Sequence, residues 1–188
     1  MKAGVPNWDV VEVEAEELAL GCADGIYKRS TGKNSAARTH TSRQQSAIAA
    51  SATSSGRPAD CDELKDAPKT WADFWDTKKF PGKRGLRKGF EYALEFALMA
   101  DGVPVDKVCE VLSVEGGVDR AFKKLDELKA DIIWWDAGAQ PLQLLSSGQV
   151  VMTSAYDGRI SGINRTEGKK FGFVFPGSVY AIDSWVIP

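Results

Sequence analysis

The reactive side chains of this 188-residue chain are sparse and poorly placed for catalysis. The single histidine, His40, sits in a Ser/Thr/Ala-rich tract with no acidic partner in sequence. Neither a Ser-His-Asp nor a Cys-His arrangement therefore has a base on a defined element. Three cysteines, Cys22, Cys61 and Cys109, are too few and too scattered for a disulfide framework or a zinc site, and one must be unpaired within the chain. No phosphate loop and no nucleophile with its base is present. Enzymatic chemistry would rest only on dispersed carboxylates such as Asp136, Asp157 and Asp183. The expectation is a protein that is not an enzyme and uses no cofactor and no metal.

Composition supports a globular core, with 43% of residues apolar. A formal charge of −2 and a pI near 5.5 give no field that argues for nucleic acid. No apolar run approaches the length needed to cross a bilayer, so membrane insertion is not expected. Met1 leads directly into Lys2 and Gly4-Val5-Pro6, without the three-part pattern of a secretory signal.

The elements that must hold any site alternate in type. Trp8 to Val13 reads as a strand and Ala15 to Leu20 as a short helix. From Lys28 the character changes to Ser, Ala, Thr, Gly and Arg with no aromatic and no period, a composition suited to a disordered linker. Its cations would also suit a basic arm for nucleic acid, but no aromatic is interleaved for base stacking. Order resumes where Thr70 can cap a helix carrying Trp71, Phe74 and Trp75 on one face. Gly82 to Lys88 follows as a short strand and Glu91 to Ala100 as a buried helix. Helices are expected over Val105 to Leu112 and Val118 to Lys129, the second with Val118, Phe122, Leu125 and Leu128 along one stripe. Ile132 to Trp135 reads as a buried strand, Pro141 to Leu145 as a helix, Gln149 to Ala155 as a strand and Gly158 to Asn164 as a helix. Phe171 to Phe175 and Val179 to Ile187 complete the pattern as two strands. Strands alternating with helices imply an α/β layered sheet.

Four segments in this order resemble the periplasmic polyamine (spermidine/putrescine)-binding proteins of ABC transporters. They are Asn7-Trp8-Asp9-Val10-Val11, Pro68-Lys69-Thr70-Trp71-Ala72-Asp73-Phe74-Trp75, Gly148-Gln149-Val150-Val151-Met152 and Ile182-Asp183-Ser184-Trp185-Val186-Ile187-Pro188. In that family two α/β lobes close on a small ligand and dock on a membrane permease, a hinge mechanism. The resemblance implies a periplasmic binding protein-like fold, with one largely complete lobe plus a fragment of the other. Residues 1–27 would be the fragment and residues 62–188 a C-terminally truncated second lobe. Residues 28–61 would be disordered or frame-displaced: read one nucleotide earlier, permitted codons spell a sequence similar to the family's own at this place. The implied location is the periplasm, and the implied partners are a small solute and a transporter permease.

A polyamine needs carboxylates for its ammonium groups and aromatic faces for its methylenes. Asp183 matches the family segment that supplies an acidic amine ligand. Tyr156 and Asp157 fall where the family places an aromatic and a carboxylate, although a helix cap also accounts for Asp157. Asp136 to Gln140 follows a strand and opens a helix, which makes Gln140 a hydrogen-bonding candidate. Trp134 and Trp135 cannot both face a cleft, because successive strand side chains point to opposite sides. Arg87-Lys88-Gly89-Phe90-Glu91-Tyr92 departs from the family, offering two cations before Glu91. Glu91 or Tyr92 would serve an amine, whereas Arg87 or Lys88 would suit a carboxylated, amino-acid-like solute. A further alternative is a fragment without ligand function, its cleft reduced to one wall.

Overall fold

The computed structural model describes residues 11–27, 42–51 and 67–186. In chain order the elements are β1 (Val11–Val13), α1 (Ala15–Ala23), β2 (Ser42–Ser51), α2 (Trp71–Trp75), β3 (Arg84–Arg87), α3 (Ala93–Ala100), α4 (Val108–Leu112), α5 (Gly117–Leu128), β4 (Ile132–Trp135), α6 (Gln140–Ser146), β5 (Met152–Tyr156), α7 (Asp157–Glu167) and β6 (Phe171–Val186). They fall into two compact units, Met1–Gln44 with Tyr180–Pro188, and Gln45–Val179.

In the first unit β1 pairs antiparallel with the end of β6, Val11 opposite Val186 and Val13 opposite Ser184. A capping box starts α1, where the Glu14 backbone N–H donates to Glu17 Oε2 at 3.2 Å.

The second unit is built on strands in the order β2-β5-β3-β4. The β5–β3 and β3–β4 pairs are parallel, and β2 runs antiparallel to β5. Residues 42–51 thus form a strand inside the tract whose sequence lacks a period of two. Backbone pairing to β5, from Ser46 opposite Tyr156 to Ala50 opposite Met152, defines it. The remainder of 28–61 lies outside the described residues, as do Trp8 to Val10 and Ile187-Pro188.

Alternation along the strands feeds two cores. Leu86, Ile132 and Met152 face a cluster containing Trp71, Phe74, Phe96, Leu98 and Leu128 from α2, α3 and α5. Ile133 and Ala155 face the other side, with Leu142, Leu145 and Ile160 from α6 and α7. Helices therefore cover both faces, which explains the nearly uninterrupted burial of β3 and β5.

Local chemistry explains several boundaries. The Thr70 side chain accepts from the Asp73 backbone N–H at 3.2 Å while Asp73 Oδ2 takes the Thr70 N–H at 3.1 Å, a closed cap for α2. Burial works against the Asp73 carboxylate, but hydrogen bonds from the Lys69 N–H and Thr70, together with Lys79, hold its pKa below the ordinary value. Gly85 is a close-approach position: a Cβ there would stand 2.2 Å from Thr153 Oγ1 on β5.

Two expectations are revised. The apolar stripe of α5 is rotated, with Gly117, Ala121, Leu125 and Leu128 inward while Val118 and Phe122 are 40% and 50% exposed. The two strands expected after Phe171 are one, β6, which passes Gly177 at φ 73° where the Trp71 indole N–H donates to the Gly177 carbonyl at 2.8 Å.

Candidate ligand-binding site

The helices after β3 pack against one core and those after β4 and β5 against the other. Chains leaving parallel strands toward opposite faces open a crevice at the strands' carboxyl ends, the usual place for a ligand in such sheets. Three loops meet that rim in the second unit: Lys88 to Tyr92, Asp136 to Ala139, and the Tyr156-Asp157 start of α7. The Lys88 N–H donates to the Trp135 carbonyl at 2.6 Å, so the first two loops leave neighbouring strands side by side.

The sequence candidates are distributed unequally. Glu91 pairs with Arg87 at 3.0 Å, and the Arg87 guanidinium lies 5.4 Å from the centre of the Tyr92 ring. Both Glu91 and Tyr92 are thus already engaged with the cation that ends β3. Tyr92 has φ 62°, a left-handed conformation that costs an aromatic residue about 1–3 kcal/mol. Gln140 Oε1 accepts the N–H groups of Asp136 and Ala137, each at 2.8 Å. The acceptor end of Gln140 is therefore spent on shaping its own loop, and those two amides are not open to a ligand. Asp157 Oδ1 takes the Gly158 N–H at 2.7 Å at the start of α7. Tyr156 is buried and stands edge-on to Trp135, ring centres 6.2 Å apart. Asp183 belongs to the first unit and is 3% exposed.

Sequence reading missed Arg159. It lies in the first turn of α7, exposed, and a Cβ on Gly138 would stand 3.0 Å from its Nε and 3.4 Å from the Tyr156 ring. Tyr156, Gly138 and Arg159 thus form one cluster. Among the described residues Arg159 has no hydrogen bond and no ion pair, nor does the Lys88 side chain. The Trp135 indole N–H, beside Tyr156, is buried without an acceptor. An orphaned buried donor of this kind calls for a partner supplied from elsewhere. A lone basic residue two positions past Asp157, in the first turn of a helix after a strand, was the available signal. Cations are disfavoured at helix N-termini, so its presence there needs a reason.

Comparison with known proteins follows the same geometry. The family described as bacterial extracellular solute-binding proteins matches residues 3–188. The chain belongs to that family. A gamma-aminobutyric acid-binding protein of Pseudomonas aeruginosa is 46% identical over 187 residues, covering 98% of this chain and 53% of the relative. An ABC transporter substrate-binding protein from Bradyrhizobium japonicum superposes with a TM-score of 0.73 at 36% identity, over 97% of this chain and 56% of that one. The solved structure of a GABA receptor gives a TM-score of 0.73 at 32% identity, with the same coverage of 97% and 56%. The chain spans about half the length of these relatives. The periplasmic binding protein-like fold expected from sequence is the fold observed. None of these three relatives is named as an enzyme, and no helix among the described residues is long and apolar enough to cross a membrane.

Proposed function

We propose that this chain carries the solute-holding lobe of an extracellular binding protein that delivers a small amino-acid-like solute, of the gamma-aminobutyrate type, to an ABC transporter permease from the periplasm. The observation that carries the reading is Arg159, a rim guanidinium beside Tyr156 with no carboxylate partner among the described residues. A guanidinium presents a planar fork that matches a carboxylate, which a polyamine lacks. Lys88, whose ammonium has no partner among the described residues, adds a second cation on the same rim. A solute bearing only ammonium groups leaves these two cations without a carboxylate, whereas a zwitterion has a partner for each end: these cations for its carboxylate, and Asp136 or Asp157 for its amine. The naming of two relatives for gamma-aminobutyrate supports the same class. The amino-acid-like alternative of the sequence reading is therefore preferred to the polyamine. Asp183 remains a proposed ammonium partner on the strength of the family segment alone.

Arg159→Gln tests the assignment. Loss of one charge-assisted pair weakens binding by about tenfold to a hundredfold. Titration followed by tryptophan fluorescence should show that loss for gamma-aminobutyrate and a smaller change, or a gain, for putrescine. Equal affinities of wild type and variant for gamma-aminobutyrate would remove Arg159 from the site.

A further inference from the structure

The rim continues into a cleft of about 620 Å³ between α5 and β4. Lys88, Asp136 and Gln140 line it from the segments that follow β3 and β4, and Phe122, Leu125 and Trp134 line it from α5 and β4. This volume lies in the range of sites that enclose drug-sized molecules, about 300–1,000 Å³. A short unbranched amino acid leaves most of it unfilled. The walls are unusual for a lone surface depression: Phe122 is 50% exposed and Trp134 43%, two aromatic faces turned to one concavity instead of into the core. Strand alternation explains the second, because Trp135 takes the buried position and Trp134 must face α5. The lining carries opposite charges. Among the described residues neither the Lys88 ammonium nor the Asp136 carboxylate has an ion-pair or hydrogen-bond partner, whereas the exposed Lys129 and Asp126, also in the lining, approach each other at 3.7 Å.

We propose that this cleft is a subsite for the apolar body of a substituted amino-acid-like solute, whose ammonium and carboxylate stay at Asp136 and Lys88 while a planar or bulky substituent lies between Phe122 and Trp134. The proposal rests on the amino-acid-like reading above and narrows it to solutes larger than gamma-aminobutyrate. An unsubstituted diamine has nothing to place between the aromatic walls. A solute with an aryl group gains an offset or edge-on contact with each ring.

The test compares gamma-aminobutyrate with its beta-phenyl derivative on the 188-residue chain by calorimetry. In the wild type the phenyl derivative should bind about tenfold more tightly. Trp134→Ala and Phe122→Ala, on separate elements, should each lower the ratio of the two affinities by about tenfold, with melting curves confirming that each variant folds. A phenyl derivative that binds no better than gamma-aminobutyrate, or a ratio that neither variant changes, overturns the subsite and leaves the amino-acid-like reading in place. Binding of putrescine in preference to both amino acids overturns the underlying reading and the subsite with it.

Discussion

Arg84 is the side chain whose loss the structure prices most clearly. It is 0% exposed on β3, and its guanidinium donates to the carbonyls of Phe74 at 2.7 Å, Phe80 at 2.6 Å, Asp76 at 3.2 Å and Gly82. One cation thereby gathers the irregular segment between α2 and β3 and fastens it to the sheet. Burial pushes the Arg84 pKa down, with Asp131 and Asp76 opposing, but no nearby acid replaces the carbonyl clamp. In Arg84→Met the Phe74 carbonyl loses a buried donor, costing about 1–3 kcal/mol. The three other acceptors are only partly buried, so water recovers part of their loss. Removing a desolvated cation returns some free energy. The net destabilisation is about 3 kcal/mol, a large share of the roughly 5–15 kcal/mol that holds a domain folded. Urea unfolding should show a midpoint lower by about 1–2 M with an unchanged slope. Arg84→Lys keeps the charge without the fork and should fall between the two. A midpoint within about 0.3 M of wild type for Arg84→Met would refute the clamp.

Other consequences are smaller and separately measurable. Burial raises the Glu95 pKa despite hydrogen bonds from the Glu95 and Tyr92 backbone, and its Oε2 is buried without a hydrogen-bond partner. A raised carboxyl pKa favours folding below the ordinary Glu pKa, and that advantage is lost as pH rises through the folded-state value. Glu95→Gln should therefore stabilise the protein at pH 7 and converge with wild type in acid, read from melting temperature against pH. A gain that is the same at every pH would contradict this. Gly85→Ala forces a methyl to 2.2 Å from Thr153 Oγ1 and should cost about 1–3 kcal/mol, with Thr153→Ala in the same chain recovering part of it. Asp73 is the opposite case to Glu95: its depressed pKa contributes stability above the unfolded value of 3.8 that is lost as pH falls through the folded-state pKa. Asp73→Asn should flatten the acid limb of the stability curve, and an unchanged limb would discount the cap.

The parts of the fold that sequence predicted well were those governed by local rules. Thr70 with Trp71, Phe74 and Trp75 specified both a helix start and its buried face, and all three aromatics are in the core. The alternation of strands and helices from β3 to α7 was expected in that order from the sequence. What failed depended on distant partners. Apolar identity suggested that Phe122 was packed, but α5 turns Ala121 inward against α3 and leaves Phe122 to the cleft. The two strands expected after Phe171 form a single strand, with the Gly177 carbonyl in the intervening stretch bonded by Trp71, more than a hundred residues earlier. For the site, types were readable but commitments were not. Glu91 and Gln140 had suitable chemistry, yet Arg87 and the Asp136–Ala137 amides already occupy them. Arg159 was invisible for the converse reason, since its interest lies in lacking a partner among the described residues.

The central claim is that the rim was built for a carboxylate and an amine together. Titrating the wild-type chain in one buffer with gamma-aminobutyrate, putrescine and butyrate compares both charges, the amine alone and the carboxylate alone. The account predicts gamma-aminobutyrate tighter than either by about tenfold or more, since each lost charge-assisted contact is worth about 1.5–3 kcal/mol. Putrescine binding as tightly as gamma-aminobutyrate, or more tightly, would contradict it.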